Sequence, residues 1–138
     1  MMSHTPVTGI DLVEISRIAN SMKNTRFLER VFSSAELELL HERSGGRCME
    51  ELHRSISAVN TAAANFCAKE AFSKALGTGI RGFALSEVSI LRDELGRPYF
   101  LLSGRAQRIV EERRLILSVS LSHAKEYACA VVVGVTSE

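Results

Sequence analysis

The sequence predicts an α+β fold in which a largely antiparallel sheet packs with helices, and three stretches carry that expectation. The run "LILSVSLSH" sets Leu117, Val119 and Leu121 against Ser118, Ser120 and Ser122, the two-residue period of a strand with one apolar face. The run "NFCAKEAFSKALGTGI" spaces Ala68, Phe72, Ala75 and Leu76 along one helical face. It then meets Gly77, a residue type that takes a left-handed C-terminal position without steric cost. The run "LSEVSILRDELGRPYFLL" reads as two strands around a turn at 94–97, with Pro98 opening the second. Helices and largely antiparallel strands therefore alternate in mixed order, the mark of the α+β class.

The elements follow along the chain. "PVTGIDLVEI" predicts a short strand running into a helix over roughly 13–22, with Asp11 near the junction. "FSSAELELLHER" offers Ser33 and, three residues on, Glu36, the spacing of a capping box ahead of a second helix. In "SGGRCMEELHRS", Gly45 and Gly46 mark a turn or a flexible connection. A helix begins at about Ala62 and ends at Gly77, and the predicted hairpin comes next. "GRAQRIVEERR" is a short amphipathic helix, "AKE" a turn, and "YACAVVVGV" a final buried strand. No repeat or low-complexity segment interrupts this series, so residues 1–138 read as a single domain, long enough for one sizeable core.

Composition removes several function classes. With 46% hydrophobic and 24% charged residues, the chain is neither disordered nor fibrous. A formal net charge of +1 argues against a protein held to nucleic acid by a general basic field. Cys48, Cys67 and Cys129 are odd in number, with no C-x-x-C pair and no histidine at zinc-finger spacing, so they read as reduced thiols of a cytoplasmic protein. "MMSHTPVTG" lacks the basic-then-apolar pattern of an export signal, and the longest apolar run is too short to span a bilayer.

The chemistry-bearing residues concentrate around the central helix. Glu70 and Lys74 lie opposite its apolar stripe, with Phe66 near Glu70, so that face lines a cleft or an interface rather than a simple wet surface. Glu four residues before Lys is also the favoured exposed ion pair, worth about 0.3–0.5 kcal/mol. The "GTG" after the helix is not a Walker loop, because it meets the negative end of the helix dipole. Its backbone N–H groups and Lys74 suit a phosphate, and a helix stop is its ordinary use. Asp11 and Glu70 are the carboxylates to place together. With phosphate oxygens and waters, two carboxylates suit Mg²⁺, whereas Asp11 alone reads as a helix cap. His123 ends the serine-lined strand and suits a phosphate or nucleotide, or is a plain turn residue. Glu14, a turn beyond Asp11, is a second partner or a solvated side chain.

Together, "GIDLVEISRI", "FCAKEAFSKALGTGI", "GRPYFLL" and "SVSLSHAKEYACAVVV" resemble, in order along nearly the whole chain, the holo-acyl-carrier-protein synthase family. The resemblance implies the 4′-phosphopantetheinyl transferase-like fold. It also implies transfer of 4′-phosphopantetheine from coenzyme A to a serine of apo acyl carrier protein, leaving adenosine 3′,5′-bisphosphate. Matched onto the family's motifs, Asp11 and Glu70 would bind Mg²⁺ and take part in catalysis. Lys69 occupies the family's lysine before that glutamate and joins the catalytic group. Lys74, Gly77 and Gly79 would contact coenzyme A phosphates, and Ser122 with His123 would border the nucleotide. Deprotonation of the carrier serine is open to Glu70, Asp11 or a metal-bound water. Short members of the family imply a homotrimer with active sites between subunits.

An acidic carrier needs a basic face, and Arg17, Lys23, Arg26 and Arg30 stand against Glu29 near the first helix. The family's helix-one arginine maps onto Arg17, and Arg26 is the second expected carrier contact. The chain departs from the family at three places. Asn65 and Cys67 stand near an absent arginine or tryptophan, Ser118 replaces a common histidine, and residues 44–64 form a longer segment. A non-catalytic module that binds carrier protein or coenzyme A is the alternative function. A metal-dependent phosphohydrolase comes third, because the sequence shows no additional cluster of metal ligands.

Overall fold

The computed structural model describes residues 5–137. The amino-terminal run is strand β1 (Val7–Glu14), longer than the sequence pattern implied, and it leads directly into α1 (Ile15–Ser21). Asp11 lies inside the strand opposite Ala130, and the residue at the helix start is Glu14, so Asp11 is no cap. Asn24 accepts the Arg26 N–H and opens a helix absent from the sequence reading, α2 (Thr25–Val31). Ser33 and Glu36 close the expected capping box at the start of α3 (Ser34–Arg43).

Gly45 and Gly46 both take positive φ and make the expected turn. The segment after them is not merely a flexible connection, however. It forms a 3-10 helix over Met49–Arg54, and Ser55 then caps α4 (Ile56–Leu76) by accepting the Ala58 N–H. The helix therefore starts six residues before Ala62, because the capping serine, not the alanine run, sets its beginning. It ends as expected at Gly77, in the left-handed conformation. The hairpin of β2 (Val88–Arg92) and β3 (Pro98–Leu102) follows, then α5 (Gly104–Glu112), β4 (Leu115–His123) and β5 (Tyr127–Thr136).

All strand pairings are antiparallel. One sheet has the order β1-β5-β4, and β2 pairs with β3 in a second. Helix α4 runs through the centre, against β1 and β5 on one side and against α3 and β2 on the other. Its alanines let both layers close in, and Phe72 anchors the hairpin side against Phe83 and Phe100, 5.3 and 5.6 Å away. Gly9 makes the closest approach possible. A Cβ there would collide with the Ala71 carbonyl oxygen and lie 2.7 Å from the Ala75 nitrogen.

Strand β5 differs from expectation. Ala128, Ala130 and Val132 are buried against α4, but Val131, Val133 and Val135 point away and stay exposed. A strand in the middle of a sheet has two faces, and this chain covers only one of them.

Candidate active site

The two-residue period of β1 sends Asp11 to the face shared with Gly9 and Val13, toward α4. Glu70 and Lys74 project from α4 to meet it. The Lys74 ammonium donates to the Asp11 carboxylate at 3.2 Å and to the Ile10 carbonyl at 2.9 Å. Lys74 thus reaches across to the strand instead of closing a bridge along its own helix. Asp11 and Glu70 line one cleft of about 330 Å³ with Arg17, Ser21, Phe27 and Phe66. Phe66 does line the cleft beside Glu70, 6.2 Å from the Phe27 ring.

Electrostatics make this a site in need of positive charge. Burial raises the Glu70 carboxyl above its ordinary range, and the neighbouring Asp11 charge raises it further, with Lys74 acting against both. Cys67 lies beneath the pair and donates to the Ala128 carbonyl at 3.3 Å. Burial first, and then Asp11, push its thiol up to about 12, which keeps it protonated and chemically quiet. Beyond the helix, Gly77 and Gly79 both take positive φ in an exposed turn on the Lys74 side.

Lys69 has a different placement from the one its expected catalytic role requires. One step along a helix rotates a side chain by about 100°, and this step carries Lys69 away from the cleft into the opposite layer. Its fully buried ammonium donates to Glu36 and to the carbonyls of Val88, at 2.6 Å, and Leu85, at 2.9 Å. Those three partners use all three ammonium hydrogens, leaving none for a substrate. Burial lowers its pKa, while Glu36 holds the charge in place.

Ser122 and His123 lie elsewhere. They border a cavity of about 610 Å³ with Arg43, Asn60 and Arg92. In the register, Ser122 pairs with Cys129, which in turn pairs with Leu12, so Ser122 shares the outer face of the sheet with Leu12. Asp11 belongs to the inner face. His123, opposite Ala128, and Leu121, opposite Ala130, lie on the inner face, but the cavity they border shares no lining residue with the Asp11–Glu70 cleft, so one chain holds the two as separate sites. Arg17 on α1 and Arg26 on α2 are both exposed, and Arg17 borders the carboxylate cleft; the basic residues span two short helices rather than one. Glu36 and Arg92 were not singled out from sequence, where one reads as a helix cap and the other as an ordinary strand residue.

Comparison with known proteins places this geometry. Residues 8–132 match the model of the 4'-phosphopantetheinyl transferase superfamily. A holo-[acyl-carrier-protein] synthase of Ruminiclostridium cellulolyticum is 40% identical over 91% of this chain and 88% of its own length. The synthase of Clostridium beijerinckii is 39% identical over 91% and 93%. Among solved structures, a holo-(acyl-carrier-protein) synthase from Bacillus anthracis in complex with CoA (3',5'-ADP) superposes with a TM-score of 0.74 at 30% identity. That match covers 96% of this chain and 98% of that one. The Neisseria meningitidis synthase gives a TM-score of 0.77 at 31% identity, over 92% and 95%. The order of elements, the cleft where Asp11 of β1 meets Glu70 of the central helix and these likenesses agree, and the chain belongs to the holo-[acyl-carrier-protein] synthases of the 4'-phosphopantetheinyl transferase superfamily.

Proposed function

We propose that the chain transfers 4′-phosphopantetheine from coenzyme A to a serine of apo acyl carrier protein and releases adenosine 3′,5′-bisphosphate. The observation that carries this reading is the meeting of Asp11 and Glu70 in one cleft, from elements far apart in the chain. Relatives with this name cover nearly the whole chain, and the synthase of Helicobacter pylori was solved in complex with coenzyme A.

The donor set fits Mg²⁺. Two carboxylates crowd together, the Asp11 charge disfavouring that of Glu70, with Lys74 paired to Asp11 and with phosphate oxygens and waters to complete the shell. Such an ion would be held by Asp11 and Glu70 and, when bound, would supply charge stabilisation to the diphosphate. The remaining roles fall to the chain itself. Lys74 and the 77–79 turn receive the phosphates, and Arg17 beside the cleft orients the acidic carrier, with Arg26 extending the basic face. The serine oxygen attacks the β-phosphorus as the bond to the departing adenosine bisphosphate breaks, and a carboxylate of the cleft accepts the serine proton. Lys69 serves this site by fixing α4 from behind.

The working unit is a homotrimer of this chain with sites between copies. Two observations support it: the cavity bordered by Ser122 and His123 shares no lining residue with the Asp11–Glu70 cleft, and the outer face of the sheet is apolar. Ile10, Leu12, Ile116 and Val133 are 64, 63, 59 and 40% exposed on that face. Among the described residues, no helix is long and apolar enough to cross a membrane. Three unpaired cysteines accord with a cytoplasmic location. The test is to incubate the chain with coenzyme A, Mg²⁺ and apo carrier proteins and weigh the carrier. A gain of one phosphopantetheine is expected, and no gain on any carrier would favour a non-catalytic binding module.

A further inference from the structure

The cavity bordered by Ser122 and His123 contains two guanidinium groups and several hydroxyls, and no carboxylate lines it. Arg92 enters from β2 in a fixed pose. One of its terminal nitrogens donates to the Asn65 side-chain oxygen at 2.8 Å, and the other lies 3.3 Å from the Ile90 carbonyl. Asn65 is fully buried. Its amide nitrogen donates to Glu36 at 2.8 Å and to the Ile90 carbonyl at 2.9 Å, so its oxygen must be the atom that faces Arg92. Asn65, a departure from the family pattern in sequence, is in structure the clamp on an arginine.

That arginine is kept under electrostatic pressure. Burial, and next the charge of Arg43, lower its pKa to about 10, and Glu36 is the one carboxylate acting the other way. Glu36 is already committed to Lys69, to the Ser33 N–H and to Asn65. Two cations sharing a partly desolvated cavity, with their nearest carboxylate spent, favour entry of an anion.

We propose that Arg92, oriented by Asn65 and assisted by Arg43, binds the ribose phosphomonoester of the donor and sets its preference for coenzyme A over the analogue lacking that phosphate. The inference rests on the reading of coenzyme A as donor, and it names a specificity residue of that site. The donor carries two anionic centres. The diphosphate belongs with the carboxylate cleft and its cation, which leaves the monoester for a cavity whose charged groups are cationic. A planar guanidinium fork suits its oxygens.

The test is calorimetric titration of the full-length chain with adenosine 3′,5′-bisphosphate and with 5′-AMP, which differ by this one phosphate. The wild type should bind the bisphosphate more tightly. In Arg92→Gln that preference should fall about tenfold or more, with 5′-AMP affinity held within about twofold. The ratio of kcat/KM for coenzyme A over its 3′-dephospho form should fall in parallel. A folded Arg92→Gln chain that keeps the full preference overturns the assignment. Should that variant not fold, the same ratio in Arg43→Gln, at an exposed position, decides: a several-fold drop supports the proposal and no change overturns it. A wild type that transfers phosphopantetheine while the variants keep their preference defeats only the Arg92 assignment. A wild type that binds neither nucleotide defeats the donor reading itself.

Discussion

Glu70 shows how little a residue's chemistry depends on its own sequence neighbours. Along the helix it is half of an ordinary Glu–Lys pair, but in the fold Lys74 leaves it for Asp11 and the carboxyl is raised by burial and by that same aspartate. The folded chain holds the Glu70 proton more tightly than the unfolded chain does. The stability this group contributes is therefore present below its unfolded pKa and lost as pH rises through its folded value. Without metal, the wild type should lose stability relative to Glu70→Gln as pH rises from the ordinary glutamate range through the raised folded value, as thermal denaturation across a pH series would show. With metal, coenzyme A and carrier present, the same variant should transfer phosphopantetheine at least about a hundredfold more slowly. Near-normal turnover would remove Glu70 from the site.

Adjacent residues of one helix can serve unrelated purposes, and α4 shows it with Lys69 and Glu70. The helix lies between two layers, so a 100° step per residue sends one side chain to the hairpin layer and the next to β1. Lys69, Glu36 and Asn65 form a closed polar network that fixes the helix in register with α3 and β2. Removing one partner of a buried ion pair strands the other charge, so Lys69→Met should cost about 3–5 kcal/mol, read as a shift of the denaturant midpoint. Turnover per folded molecule should survive. If it disappears while the fold holds, Lys69 acts on substrate after all. The alanines and Gly9 matter at the same scale. They bring β1 against the helix backbone closely enough for a short aspartate to reach the Glu70 side.

At the scale of the molecule, one chain holds two separate clefts and an uncovered sheet face. Apolar side chains on the outer side of β1, β4 and β5 ask for cover, and further copies of the same chain supply it in the arrangement proposed here. Val133→Glu places a charge at the middle of that face. Light scattering should then show monomers where the wild type shows trimers, and transfer should fall with the trimer because, in that arrangement, the Asp11 and Ser122 of one active site come from different copies. A monomeric wild type with full activity would overturn this arrangement.

The sequence by itself determined the fold class, the hairpin and the glycine stop of the central helix, whereas the carboxylate pair came from the family resemblance. The first three features rest on local rules: strand and helix periods, a proline at a strand start and a glycine free to turn left. The Ser33–Glu36 cap was legible for the same reason. Tertiary structure alone decided that Lys69 is buried, that Asn65 holds Arg92, and that β5 has an open face. Each of these depends on which layer lies over a given side of an element, and that is set by packing between segments distant in the chain, where no spacing rule reaches.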